Sequence, residues 1–273
     1  MTFRYIRRLL VCLFCYIVLI GNVNADENIL SEDKKTIMQL GKGLSLHKQN
    51  YIIPLTWGNN DSAIEDAEVK FQISVKQKLF NTNFYIGYSQ KSFWRVLDEE
   101  DSRPFRETNY NPEFFYSVVP EKNPLGNWSC NIGYEHESNG SSLPKSRSWD
   151  RLYIAPYYEH KNFRADLKIW YRIPENDKDN ENDTSGDDNP DIEDYYGYGQ
   201  VKFRYEWSSN HMLSLIGRCN PKTGNAGAQI DYSWPGPGKR VFFFTQLWTG
   251  YGESLIDYNH YITSFGVGVM FKR

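Results

Sequence analysis

Glu68-Val-Lys-Phe-Gln-Ile-Ser-Val-Lys76 decides the fold class. Val69, Phe71, Ile73 and Val75 alternate without a break with Lys70, Gln72, Ser74 and Lys76. A period of two is the signature of a β-strand with one apolar and one polar face. A tilted strand of about 9–11 residues crosses the hydrocarbon of a bilayer. The pattern returns in Phe163-Arg-Ala-Asp-Leu-Lys-Ile-Trp-Tyr171 and in Tyr261-Ile-Thr-Ser-Phe-Gly-Val-Gly-Val-Met-Phe271. Working outward from these segments, the sequence predicts strands at 48–57, 68–78, 83–95, 108–120, 126–138, 149–160, 162–173, 193–206, 210–220, 226–235, 239–250 and 260–271. An even number suits a closed antiparallel barrel, and closure removes the edges an open sheet would expose. The expected fold is therefore all-β, a twelve-stranded antiparallel transmembrane barrel, with Val69, Phe71, Ile73 and Val75 facing lipid.

The composition fits that architecture. The 273 residues include 20 Tyr, 16 Phe and 8 Trp, yet the mean hydropathy is −0.64. A polar average with abundant aromatics is what a barrel with a polar lumen, an apolar outer band and aromatic girdles requires. The net charge of −3 points to no partner. No basic patch carries interleaved aromatics, which argues against nucleic acid. Arg4, Arg7 and Arg8 precede the apolar run from Leu9 to Ile20, and Val23-Asn24-Ala25 offers small cleavage positions. That run is too short to cross a bilayer as a helix, so it reads as a signal peptide. The expected organisation is a signal peptide at 1–25, a periplasmic lead-in at 26–46 and the barrel at 47–273. Outside the signal only Cys130 and Cys219 remain. They fall on strands that are not neighbours, too far apart for a disulfide, and both are expected to be free.

Connection lengths predict the orientation. Short turns follow His160, Trp207 and Pro235, whereas longer loops lie at 96–107, 139–148, 174–192 and 251–259. Short turns are periplasmic and long loops extracellular in this class. Segment 174–194 holds ten carboxylates and one lysine, Lys178. It reads as a solvated extracellular loop, with calcium binding as the alternative.

One strand end carries chemistry. In Trp128-Ser-Cys-Asn-Ile-Gly-Tyr-Glu-His-Glu-Ser-Asn-Gly140, the residues Trp128, Cys130, Ile132, Tyr134, His136 and Ser138 share a face. On the next strand Asp150, Leu152, Ile154 and Tyr158 share one. A hairpin closed through 139–148 sets Asp150 opposite His136, with Cβ atoms about 5 Å apart. A base, a hydroxyl and a carboxylate thus continue two apolar stripes. A serine becomes nucleophilic when a base takes its proton, and the base works better when a third group fixes its tautomer. His-x-Ser alone is weak evidence, because a histidine near a strand end is more often an interfacial side chain than a base. Three polar residues grouped on a hydrocarbon face argue for function, since such groups are unfavourable there without one.

Tyr134-Glu-His-Glu-Ser-Asn-Gly140, followed by Ser146-Arg-Ser-Trp-Asp-Arg-Leu-Tyr153, resembles the active-site signature of bacterial outer-membrane phospholipase A. Gln90-Lys-Ser-Phe-Trp94, Pro104-Phe-Arg-Glu-Thr-Asn-Tyr110, Asn189-Pro-Asp-Ile192 and Tyr251-Gly-Glu-Ser-Leu-Ile-Asp-Tyr-Asn259 carry the resemblance along the chain. It implies a dimeric enzyme of the Gram-negative outer membrane. It implies calcium-dependent hydrolysis of phospholipid and lysophospholipid acyl esters, with both A1 and A2 specificities. By position it makes His136 the base and Ser138 the nucleophile, with the Gly140 N–H at the oxyanion. Ca2+ would take the Ser141 carbonyl, the Ser146 hydroxyl and Ser102 from the partner subunit, and Gln90 would lie in the interface. The chain departs from the pattern at Asp150, where the family has asparagine, and at Ser141, where arginine is common. It also ends Phe271-Lys-Arg273 rather than on an aromatic. The alternative reading is a structural or pore-forming outer-membrane barrel without catalysis.

Overall fold

The computed structural model describes residues 44–58, 67–118, 127–180, 183–238 and 240–272. The signal peptide and most of the lead-in expected from the sequence lie outside them. The strands are β1 (Leu44–Leu46), β2 (Asn50–Gly58), β3 (Glu68–Lys78), β4 (Phe84–Trp94), β5 (Phe105–Val118), β6 (Trp128–Ser138) and β7 (Ser148–His160). They continue as β8 (Phe163–Ile173), β9 (Gly199–Glu206), β10 (Met212–Cys219), β11 (Ala226–Pro235), β12 (Phe242–Tyr251) and β13 (Tyr261–Lys272). From β2 onward each strand pairs antiparallel with its chain neighbour, and β13 returns to β2 to close a twelve-stranded barrel. The short β1 adds to it by pairing with the end of β3, Leu44 against Gln77. The register slips between Ile53 and Thr56 of β2. Pro54 stands in that gap, and a proline has no N–H to give a ladder.

The alternation read from the sequence sorts the two faces. Ile73, Ile86, Phe114, Ile132, Ile154, Ile169, Phe203 and Phe265 are exposed, while Lys70, Ser74, Glu113, Glu135 and Asp231 are buried in the lumen. Buried charges demand partners, and the lumen supplies them. Lys70 Nζ lies 2.8 Å from Glu253 Oε1. Glu113 meets His47 Nε2 at 2.6 Å and Lys48 Nζ at 3.2 Å, and accepts the Tyr153 hydroxyl at 2.8 Å. Lys168 and Arg151 reach Glu135 at 2.7 and 3.3 Å. Two apolar clusters complete the filling. One joins Trp149, Trp170, Tyr196, Leu255 and Tyr258, and the other joins Tyr51, Ile53, Met212, Phe244 and Met270.

Two elements differ from the sequence reading. Residues 44–46 belong to a strand rather than to an irregular lead-in. The strand expected at 193–206 is instead a short helix, α1 (Ile192–Tyr196), followed by β9. Gly197 ends α1 at φ 66°, a left-handed value that glycine accepts without strain. A Cβ there would collide with the Cys219 carbonyl oxygen. The helix buries Ile192 and Tyr196 and tucks the end of the 174–198 connection into the barrel mouth, with the Trp170 indole N–H on Gly197 O at 3.0 Å. Cys130 on β6 and Cys219 on β10 are both free.

Candidate active site

The candidate site is built at the open end of the β6–β7 hairpin. The two strands run in regular register from Trp128 opposite Tyr158 to Ser138 opposite Ser148, and His136 faces Asp150. Trp149 fixes which face is which. It is fully buried, its indole N–H donates to Glu137 Oε2 at 3.1 Å, and the Arg151 guanidinium stacks 3.7 Å from its ring. With Glu135, Glu137, Trp149 and Arg151 held inside, strand alternation turns His136, Ser138 and Asp150 outward.

On that outer face the His136 Nδ1 lies 2.9 Å from Asp150 Oδ1, with the two side chains 33% and 28% exposed. This leaves Nε2 directed away from the carboxylate. Ser138, two residues further, sits on the same face. Its hydroxyl is not hydrogen-bonded to the ring in this conformation. Catalytic hydrogen bonds are often long in unliganded enzymes and tighten with substrate.

The turn beyond Ser138 is held by Asn139. Its Nδ2 donates to the Lys145 carbonyl at 2.7 Å, and its Oδ1 accepts from the N–H groups of Arg147 at 3.0 Å and Ser141 at 3.2 Å. Gly140 follows at φ 63°, against the Tyr110 ring, which a Cβ would meet at 3.2 Å. Gly140, two residues past Ser138, thus carries no side chain that could cover its backbone N–H.

The predicted metal ligands are distributed as follows. Ser141 and Ser146 share the 139–147 loop. Ser102 lies in the 95–104 connection at φ 61° and is exposed. The Ser146 hydroxyl donates to the Asp188 carboxylate, which also pairs with Lys178. Asn189 Oδ1 accepts the Ser148 N–H at 2.9 Å, and Asp187 pairs with Arg172. The acidic segment, expected as a solvated loop, is therefore docked onto the active-site hairpin at its C-terminal end. Further out, Asp183 is held down to about 2 by the backbone and hydroxyl hydrogen bonds of Ser185. Seryl hydroxyl and backbone carbonyl oxygens are the donor chemistry that a hard divalent cation takes.

Sequence reasoning missed three contributors. Asp188 was hidden among ten carboxylates with nothing in the composition to single it out. Asn139 lies inside the quoted motif, where its side chain rather than its position does the holding. Tyr134 lies on the outward stripe two residues before His136, and its hydroxyl donates to Asp150 Oδ1.

Comparison with known proteins gives a consistent result. The family model described as Phospholipase A1 matches residues 27–271. A Phospholipase A1 of Salmonella typhimurium is 41% identical over 224 residues, covering 79% of this chain and 73% of that one. The solved structure of outer membrane phospholipase A from Escherichia coli aligns with a TM-score of 0.72 at 37% identity, covering 84% of this chain and 98% of that one. A Salmonella typhi outer membrane phospholipase dimer with bound calcium aligns with the same TM-score and identity, covering 84% and 92%.

Proposed function

The chain belongs to the phospholipase A1 family, and on that premise we propose that it hydrolyses phospholipid and lysophospholipid acyl esters in the outer membrane, as a calcium-dependent dimer. The observation that carries the reading is the His136 Nδ1–Asp150 Oδ1 contact of 2.9 Å on the same lipid-facing surface as Ser138. An acyl ester lies at the boundary between chain and headgroup, which is where an outward site near a strand end meets it.

His136 Nε2 takes the Ser138 proton as Oγ attacks the ester carbonyl carbon. Asp150 accepts from Nδ1–H, which fixes the tautomer and stabilises the imidazolium that forms. The Gly140 N–H donates to the developing oxyanion. Collapse of the tetrahedral intermediate breaks the acyl–oxygen bond. The imidazolium then returns its proton to the departing lysophospholipid or glycerol oxygen. Water, deprotonated by His136, releases the fatty acid and restores Ser138.

The Ser141 carbonyl and Ser146 hydroxyl would hold calcium, with Ser102 supplied by the partner protomer and Asp188 within reach of Ser146. When bound, the ion supplies positive charge beside the oxyanion. Ligands drawn from two protomers, with Gln90 in the interface, would tie activity to dimerisation.

Phospholipid hydrolysis in detergent micelles tests the reading, with and without excess chelator. Activity is expected in the wild type with calcium, none with chelator, and sulfonyl fluoride labelling at Ser138 only when calcium is present. Full turnover in chelator would remove the metal from the mechanism. Absence of both hydrolysis and labelling would leave a structural barrel.

A further inference from the structure

Tyr134 carries an observation that the reaction above does not use. It stands on β6 opposite Leu152, and so diagonally from Asp150 on the outer face. Its ring is 38% exposed. The plain reading is an aromatic-girdle tyrosine, whose ring lies in the apolar boundary while its hydroxyl reaches for headgroups and water. The geometry differs. The phenolic O–H turns along the strand and donates to Asp150 Oδ1, the same oxygen that faces His136 Nδ1.

Two physical points give that bond a purpose. The torsion that rotates a carboxylate plane is broad, with no sharp rotamer, so a single hydrogen bond to the imidazole leaves Asp150 loosely oriented. A second donor on the same oxygen fixes the plane. The carboxylate also sits on a face directed at hydrocarbon, where an anion with few donors is poorly solvated. A charge-assisted O–H bond replaces part of the lost hydration.

We propose that Tyr134 is a positioning residue of this site: its hydroxyl holds the Asp150 carboxylate in the orientation that in turn orients His136. The proposal rests on the serine-hydrolase reading above and adds a fourth member to it. Tyr134 acts only through Asp150 and touches no reacting atom.

The test is Tyr134→Phe, which keeps the ring and removes the donor, measured alone and together with Asp150→Ala. A hydrogen bond to a charged group is worth enough that kcat should fall about ten-fold. KM should stay within about two-fold, because the ring that meets lipid is retained. Labelling of Ser138 by a sulfonyl fluoride should slow in parallel. In the Asp150→Ala background, adding Tyr134→Phe should change the labelling rate by less than about two-fold, because the group through which it acts has gone. An unchanged kcat in Tyr134→Phe overturns the proposal. So does an equal loss in both backgrounds, which would mean that the residue acts on the strand rather than on the carboxylate. A wild-type protein that neither hydrolyses phospholipid nor labels at Ser138 would instead sink the reading beneath it, so the two failures are told apart.

Discussion

The two faces of the β6–β7 hairpin are made of interleaved residues and have opposite character. Inward, Glu135, Glu137 and Arg151 have side chains 2%, 17% and 8% exposed and are tied to one another and to Lys168. Outward, His136 and Asp150 are about a third exposed, with Ser138 beside them. One residue of sequence separates a group committed to holding the wall from a group free to meet a substrate. The lesson is that charge alone does not mark function here. The inner carboxylates are the more buried and the better paired, and they are structural. Under the proposed mechanism the outer groups matter because Ser138, His136 and Asp150 supply hydroxyl, base and orienting group on a face that otherwise carries hydrocarbon.

That contrast can be broken most directly at Ser138. Ser138→Ala should lower kcat by about 10^4-fold or more with the barrel intact, as read by hydrolysis beside circular dichroism. Residual turnover close to wild type would place the nucleophile elsewhere.

On the inner face, Glu135→Ala should do the reverse. Stranding Arg151 and Lys168 in the lumen costs about 3 kcal/mol, seen as a lower denaturant midpoint in detergent. The fraction that remains folded should still label at Ser138. Loss of labelling without loss of stability would show that the faces are not independent.

A finer contrast lies between the hairpin and the acidic segment docked on it. Ser146→Ala should raise the calcium needed for half-maximal activity about ten-fold, with kcat at saturating calcium little changed. A calcium titration unaffected by this variant would argue that Ser146 serves only to anchor Asp188.

Mixing tests whether one chain suffices. Ser102→Ala and Ser138→Ala are each expected to be impaired. Equal mixing should restore about a quarter of wild-type activity, because half of the dimers are mixed and each of these holds one intact composite site. No gain, with dimers verified by crosslinking, would confine the site to one protomer.

The smallest expected effect is at Asp150. An asparagine accepts the Nδ1–H bond without contributing charge, so Asp150→Asn should stay active, as read by phospholipid hydrolysis beside the wild type. A collapse to the level of Ser138→Ala would show that this chain depends on the anion.

Much of the arrangement was legible because it depends on local periodicity. Alternation set Val69, Phe71, Ile73 and Val75 opposite the buried Lys70 and Ser74, although Val69 is itself covered and only Ile73 of the four is exposed, and one hairpin sufficed to set His136 opposite Asp150. The rest depends on which partner a group finds, and periodicity carries no record of that. Ile192-Glu-Asp-Tyr-Tyr196 is only five residues long, too few for a helical period to declare itself, and its β-branched and aromatic content imitates a strand. The docking of Asp188 on Ser146 joins residues 42 apart, and the composition of the segment announces negative charge without saying which carboxylate turns inward. The Tyr134 bond falls between these cases. Its face was readable, but the direction of its hydroxyl was not.

The filled bore has a consequence of its own. An enzyme that reacts on its outer wall gains nothing from an open interior, and an open one would pass ions whether or not substrate was present. Among the described residues the interior is occupied by paired charges, such as Lys70 with Glu253 and Glu113 with His47 and Lys48, and by two clusters of aromatic and aliphatic side chains. Lys70 and Glu113 each have an opposite charge within 3.2 Å, so these groups largely neutralise one another across the bore. A bore filled in this way is expected to leave the protein electrically quiet while it stays inserted in the membrane.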